Sequence, residues 1–193
     1  MTPGPTIETY AADALPAAVA AQVAALEAHA WPGSQSGHDP ALAPRAMVLL
    51  DGAGAVAASL ALLYKPVPLA GRTYRAAGLS SVVTRASARG RGYGGRLVAA
   101  ARAALAADPA VDVALFSCDR ELTPFYEAAG FAVLPGAVLV GGTPQDPDPL
   151  ATDAPGFDKN VLAAFFTADP AADRAAFTGA RIPLHPGTVD RLW

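Results

Sequence analysis

Gly90, Gly92, Gly94 and Gly95 stand among Arg85, Arg89, Arg91 and Arg96, and an alanine-rich run follows them directly. Glycine reaches left-handed backbone conformations and lets main-chain N–H groups come close to a ligand. A helix that starts there adds unpaired donors and a partial positive charge. Guanidinium groups on the same loop favour the same kind of partner. The chemistry open to this stretch is to hold an anionic, phosphate-bearing ligand.

Two nucleotide loops fit it poorly. A Walker phosphate loop ends in Gly-Lys-Ser/Thr, whereas Gly95 is followed by Arg96 and Leu97. Gly90, Gly92 and Gly95 do spell GxGxxG, and Asp119 follows at roughly the 20-residue distance of a dinucleotide site. A Rossmann turn takes its glycines straight off a strand, but here the apolar run ends near Val83, well before Gly90. Repeated strand–helix units are also missing after Phe131.

The elements that must position this loop come from one globular chain. Its 193 residues are 52% hydrophobic and 16% charged, which fits a single domain over residues 1–193 with its own core. A net charge of -3 weighs against a general nucleic-acid binder. Charge is unevenly spread: seven arginines and no acid lie between Gly71 and Arg102, and six aspartates between Pro144 and Asp173. That asymmetry suits a discrete anionic ligand. Arg72, Arg75 and Arg102 read as ordinary surface solubilisers.

Cys118 is the one cysteine, so no internal disulfide forms, and with no adjacent His it reads as a buried strand residue and not a nucleophile. His29, His38 and His185 are scattered without metal-ligand spacing, and no metal is expected. The segment Leu15–Ala30 is interrupted by Gln22, Glu27 and His29, so it resembles neither a membrane span nor a signal peptide. A cytoplasmic protein without membrane contact is expected.

Periodicity and breakers predict an α/β order. Ile7–Tyr10 reads as a strand, Pro16–His29 as a helix, and Trp31–Pro44 as a breaker-rich loop. Ala46–Leu50 and Ala55–Tyr64 form strands around a tight turn. Lys65–Gly71 ends the second of them, Arg72–Tyr74 starts a short strand, and Ala77–Val83 is another. A helix from about Gly92 to Ala106 and a buried strand at Val111–Ser117 follow. Thr123 is expected to cap a short helix that has Pro124 at its first position and Gly130 at its end. Phe131–Val133, Ala137–Val140 and Asn160–Phe166 read as strands, and Gly141–Asp158 as a long loop.

Within that order, "RGRGYG" (Arg89–Gly94) resembles the Arg/Gln-x-x-Gly-x-Gly/Ala signature of the GCN5-related N-acetyltransferases, the GNAT superfamily. Downstream, "DRELTPFYEAAGF" is similar to that family's Asn-x-x-Ala-x-x-x-Tyr-x-x-x-Gly-Phe pattern through Tyr126, Gly130 and Phe131, with Asp119 and Leu122 departing from it. The matches span residues 79–134, a coenzyme-binding core, with residues 159–193 left for the acceptor side. The resemblance implies a mixed, mostly antiparallel sheet flanked by helices and splayed between its fourth and fifth strands. It also implies direct acetyl transfer from acetyl-CoA to an amine. Arg89, Gly90, Arg91, Gly92, Tyr93, Gly94 and Gly95 would form the pyrophosphate loop, with Tyr93 turned to the core and Arg96 either near a phosphate or solvated. Val82, Val83 and Thr84 would offer main-chain groups to the pantetheine arm, and Asp119 would join the coenzyme site. Tyr126 would protonate the departing thiolate, a role that suits a phenol of ordinary pKa ~10.

An ammonium acceptor must also lose a proton. In the aminoglycoside 2'-N-acetyltransferases, which the chain resembles more weakly, a glutamate on the fourth strand serves, but Ser80 stands there in this chain. Asp119, His185, Asp190 and the carboxylate of Trp193 remain as candidates. "TVDRLW" (Thr188–Trp193) resembles the Asp and terminal Trp that close the acceptor site of aminoglycoside-type members, so Asp190 and Trp193 are expected to bind substrate, unless the Trp merely anchors the terminus. The expectation is acetyl transfer to a small cationic amine, with homodimers common in the family. A silent acyl-CoA sensor and a protein lysine or N-terminal acetyltransferase are the alternatives.

Overall fold

A computed structural model describes residues 4–34, 37–143, 145 and 150–193. The chain runs β1 (Thr6–Ala11), α1 (Ala17–Ala30), β2 (Arg45–Leu50), β3 (Val56–Leu69), β4 (Arg72–Thr84), α2 (Tyr93–Ala107), β5 (Val113–Asp119), α3 (Thr123–Glu127), β6 (Ala132–Val133), β7 (Val138–Gly141), β8 (Leu150–Ala151), β9 (Lys159–Phe165), α4 (Pro170–Phe177) and β10 (Arg181–Pro183). Seven strands form one sheet in the order β1-β2-β3-β4-β5-β9-β6, and three form a second in the order β10-β7-β8. The large sheet is antiparallel except where β5 joins β4 in parallel after the α2 crossover. This is the mixed, mostly antiparallel α/β architecture that the sequence resemblance implies.

The centre of the sheet is longer than the sequence suggests. β3 and β4 form one hairpin paired from Ala58↔Thr84 to Leu69↔Arg72, so Lys65–Leu69 continue β3, and the two short strands expected at Arg72–Tyr74 and Ala77–Val83 are one, β4. Ala70 and Gly71 turn the corner with φ of 49° and 77°. Pro66 and Pro68 are tolerated because β2 pairs with β3 only as far as Leu62, leaving this part of β3 at an edge where a missing N–H breaks no ladder.

The helices divide by how they hold the sheet. α2 buries Leu97, Val98, Ala101 and Leu105, a helical spacing that puts one stripe on the core. Each buried leucine contributes about 2 kcal/mol. α1 has no fully buried residue and is tied to the sheet by the Gln22 side chain, which accepts the Val56 N–H at 2.9 Å. β5 is buried on both faces through Val113–Phe116, as a central strand should be.

Several local expectations change. Thr123 is not the cap of α3. Arg120–Leu122 form a 3-10 turn that runs straight into it, so Thr123 has helical dihedrals and its hydroxyl accepts from Asn160 Nδ2 at 2.9 Å. The stretch 141–158 is not all loop, since β8 lies within it, and Asp146 and Asp148 fall outside the described residues. α4 was not anticipated, although Asp169 caps it by accepting the Ala172 N–H at 3.1 Å and Pro170 opens it. The three arginines read as solubilisers have fixed partners. Arg72 pairs with Asp173, Arg75 with Asp112, and Arg102 donates to the Gly130 carbonyl.

Candidate active site

β4 and β5 share only the registered pairs Ala76↔Val113 and Ala77↔Ala114. Beyond Ala77 the β4–β5 pairing stops, while β4 keeps β3 on its other edge and β5 keeps β9 on its own from Val113 to Asp119. The two strands therefore splay, and the edge of β4 from Gly78 to Thr84 has no strand partner on that side among the described residues. Unpaired main-chain donors and acceptors there need a ligand or water. Val82, Val83 and Thr84 lie at the open end. The closed end is clasped by Asp112, which accepts the Arg75 N–H at 2.8 Å and its guanidinium at 2.7 and 3.0 Å.

At the open end the glycines divide into two kinds. Gly90 and Gly92 have φ of 76° and 74°, and a Cβ on either would meet open space. Their backbone needs glycine while their surroundings leave room for a ligand. Gly92 is the N-cap of α2, and no side chain caps the helix. Tyr93, Gly94 and Gly95 thus head the helix as donors. Gly94 is small for another reason: a Cβ there would stand 2.7 Å from Thr84 Oγ1. Phe125, half-exposed on α3, lies beside Gly94 and Gly95 and was not expected at this site.

The arginines divide too. Arg85 is committed to Asp51 at 2.6 Å, and Arg96 reaches the Pro5 carbonyl at 3.1 Å. Arg89 donates to the Thr84 carbonyl at 3.4 Å. Arg91 is exposed and has no partner among the described residues, which leaves it the cation most available to an anion. The loop can hold a pyrophosphate: open glycine backbone, an uncapped helix start and an unpaired guanidinium converge on it.

Tyr126 is buried with its ring edge-on to Phe116 and Phe125, at centroid distances of 4.9 and 5.0 Å. Burial pushes its phenol far above the ordinary range, and Cys118 and Asp119 nearby push it further. Its hydroxyl has no partner among the described residues, yet it is not sealed from solvent. The phenol stays protonated, but burial makes it a weaker acid than the ordinary phenol expected from the sequence. Asp119 pairs with Lys159 at 2.7 Å, a partner that the sequence did not suggest. Burial raises the Cys118 thiol, partly offset by a hydrogen bond from Thr123.

A second opening lies on β4 itself. β4 carries two residues, Ser81 and Val82, opposite Leu60 of β3, and this bulge puts Ser81 at φ 50°. Such a conformation is strained for a non-glycine residue and is common where function demands it. Ser81 opens on a cleft of about 330 Å³ lined also by Trp31, Ser34, His38, Val189 and Asp190. Trp31 is 41% exposed. Asp190 accepts from His38 Nδ1 at 2.8 Å through one oxygen and from the Asp39 N–H at 2.9 Å through the other. Behind them Asp39 bonds His185 Nε2 at 2.8 Å. Gly187 is small because a Cβ would collide with that pair.

Glu27, half-buried on α1, senses the same cluster. Burial raises its carboxyl above the usual range, His38 lowers it and Asp190 raises it. Asp190 thus reaches the cleft, while Trp193 seats its indole on Gly78, where a Cβ would come within 2.7 Å of the ring. His185 is buried behind the cleft, and Ser80 on β4 pairs with Ala61 of β3. Sequence reasoning missed Trp31, His38, Asp39 and Ser81. The available signal was a His-Asp pair in a breaker-rich loop, where functional side chains concentrate. Among the described residues no three His, Cys, Asp or Glu side chains gather as a metal site. No helix among them is long and apolar enough to cross a membrane.

The family model described as an acetyltransferase (GNAT) domain matches residues 6–134. The GNAT family N-acetyltransferase YhbS from Escherichia coli, solved in complex with CoA, superposes with a TM-score of 0.59 at 17% identity, over 93% of this chain and 88% of its own. An acyl-CoA N-acyltransferase from Pseudomonas aeruginosa gives 0.58 at 14% identity, over 83% and 99%. Escherichia coli ElaA gives 0.57 at 13%, over 82% and 98%. At these identities the likeness is one of fold. No curated protein matches the sequence.

Proposed function

The chain belongs to the GNAT acetyltransferase family, and from that premise we propose that it moves acetyl from acetyl-CoA to the primary amine of a small, cationic acceptor. The observation that carries this reading is one strand with two openings a few residues apart. Ser81, at the bulge of β4, lines the Trp31–Asp190 cleft, and beyond it Val82–Thr84 leads to the glycine turn before α2.

Acetyl-CoA supplies an activated thioester when bound. Gly90, Gly92 and the first N–H groups of α2 hold its pyrophosphate with Arg91, and the free β4 edge at Val82–Thr84 aligns the pantetheine arm. A main-chain N–H aimed at the carbonyl stabilises the charge that develops there. Tyr126 gives its proton to the departing sulfur. The acceptor enters from the cleft, where the exposed Trp31 face attracts an ammonium group and the Asp190 and Glu27 carboxyls add negative charge.

Acetyl-CoA-dependent release of free thiol across polyamines, aminoglycosides, amino acids and short peptides tests the reading. Cys118 is a buried free thiol, and a Cys118→Ser background keeps it out of the signal. Release with polyamines or aminoglycosides is expected. Release with peptides alone would replace the small-molecule acceptor by a protein one.

A further inference from the structure

Ser80 leaves β4 without a side chain able to take a proton, yet an ammonium acceptor cannot attack until it loses one. We propose that His38, held by Asp190, takes that proton; the proposal rests on the acetyl-transfer reading above. Three observations carry it. His38 lines the same cleft as the β4 bulge at Ser81. Its Nδ1 is bonded to the Asp190 carboxylate at 2.8 Å, which fixes the ring and makes Nδ1 the protonated nitrogen. Nε2, the remaining nitrogen, is then an acceptor and has no partner among the described residues.

The support behind His38 is built. With side-chain exposures of 15% and 8%, His38 and Asp190 are largely withdrawn from solvent. The second oxygen of Asp190 is held by the Asp39 N–H, and Asp39 in turn binds His185. The charged and titratable groups around His38 are Asp190 from the C-terminal segment, Asp39 from its own loop with His185 behind it, and Glu27 from α1. An acidic surround stabilises the imidazolium formed when the proton arrives.

The step balances. One N–H bond of the ammonium breaks, its proton goes to Nε2, and the electron pair stays on nitrogen to form the new N–C bond as the C–S bond breaks. The second proton, shed as the nitrogen becomes an amide, balances the one that the thiolate takes from Tyr126. His38 returns its proton to water. Asp190 is a positioning residue in this scheme, and His185 lies one carboxylate further back.

The test compares spermidine, an ammonium at pH 7, with hydroxylamine, whose nitrogen is largely unprotonated there and needs no base. His38→Ala and His38→Gln should each lower kcat/KM for spermidine about 100-fold. Both should leave hydroxylamine turnover within about 3-fold and acetyl-CoA affinity by calorimetry unchanged. The pH profile should change form: in the variants, which rely on free amine, spermidine kcat/KM should rise with unit slope through neutrality, more steeply than in the parent. Added imidazole should restore part of the His38→Ala rate.

Equal losses with both nucleophiles, or full activity of His38→Gln, would overturn the proton role. So would a parent enzyme that uses hydroxylamine but no alkylammonium, and that result leaves acetyl transfer standing. Bound acetyl-CoA without thiol release from either nucleophile overturns both readings.

Discussion

The two ends of the β4 edge are built in opposite ways. The coenzyme end, as proposed, draws on one continuous stretch, Val82 to Tyr126, and works mainly through backbone, with Arg91 and Tyr126 as its side chains. The acceptor end works through side chains far apart in sequence: His38 and Asp190 are separated by 152 positions, Asp39 and His185 by 146. A backbone site must write itself into adjacent residues, because only glycine reaches the dihedrals it needs. A side-chain site can be assembled from any loops that the topology brings together.

The largest expected effect breaks the coenzyme end alone. Gly92→Glu places a carboxylate where a pyrophosphate would sit and forces a side chain onto φ 74°. Acetyl-CoA affinity by calorimetry should fall by about 100-fold or more. Gly92→Ala carries the backbone strain without the charge, at about 1–2 kcal/mol, and should lose far less affinity. If the two variants bind alike, strain and not the anion explains the glycine. Tyr126→Phe comes next. It should lower kcat about 10- to 100-fold with acetyl-CoA affinity intact, since the ring contacts with Phe116 and Phe125 survive. Unchanged turnover would reduce Tyr126 to packing.

This contrast also explains what the sequence made legible. The glycine turn, the α2 stripe and the short helix around Tyr126 carry local signals: dihedral demand, 3.6-residue periodicity, Pro and Gly punctuation. The splay was accessible through family resemblance, whereas its form, a β4–β5 pairing that stops after two registered pairs, is a matter of pairing. The long β3–β4 hairpin was hidden because Pro66 and Pro68 look like breakers until one knows that they lie on an edge. α4 had a readable start, Asp169-Pro170, and was overlooked. The His38–Asp190 pair had no local signature, and Ser81 adopts a strained conformation that serine as a residue type does not announce.

Gly78 tests whether the acceptor end depends on the C-terminal segment. The Trp193 indole lies against Gly78, and Asp190, three residues earlier, carries His38. Gly78→Ala puts a Cβ about 2.7 Å from that ring, so the tryptophan must move. Overpacking of this kind costs about 1–3 kcal/mol. Tryptophan fluorescence should shift, and acceptor KM should rise roughly 3- to 10-fold with acetyl-CoA affinity unchanged. A change in acetyl-CoA affinity instead would show that the two ends are not separable along this strand.

The smallest effect belongs to the clasp, which serves both ends and should favour neither. The hydrogen bonds from Arg75, side chain first and backbone second, hold the Asp112 carboxyl down at about 2, against burial, which raises it. A folded-state pKa below the unfolded one gives stability that is fully present above about pH 4 and is lost as pH falls toward about 2. Arg75 is 56% exposed, so solvent screening holds the contribution to about 1 kcal/mol. Asp112→Asn keeps an acceptor for the Arg75 N–H but removes the charge. Chemical denaturation should show a loss of that size at pH 7 and a flatter decline between pH 4 and 2, with the ratio of acceptor KM to acetyl-CoA affinity unchanged. A shift in that ratio would mean that the closed end of the splay sets the geometry of one opening more than the other, and that the backbone end and the side-chain end are coupled through the strands that join them.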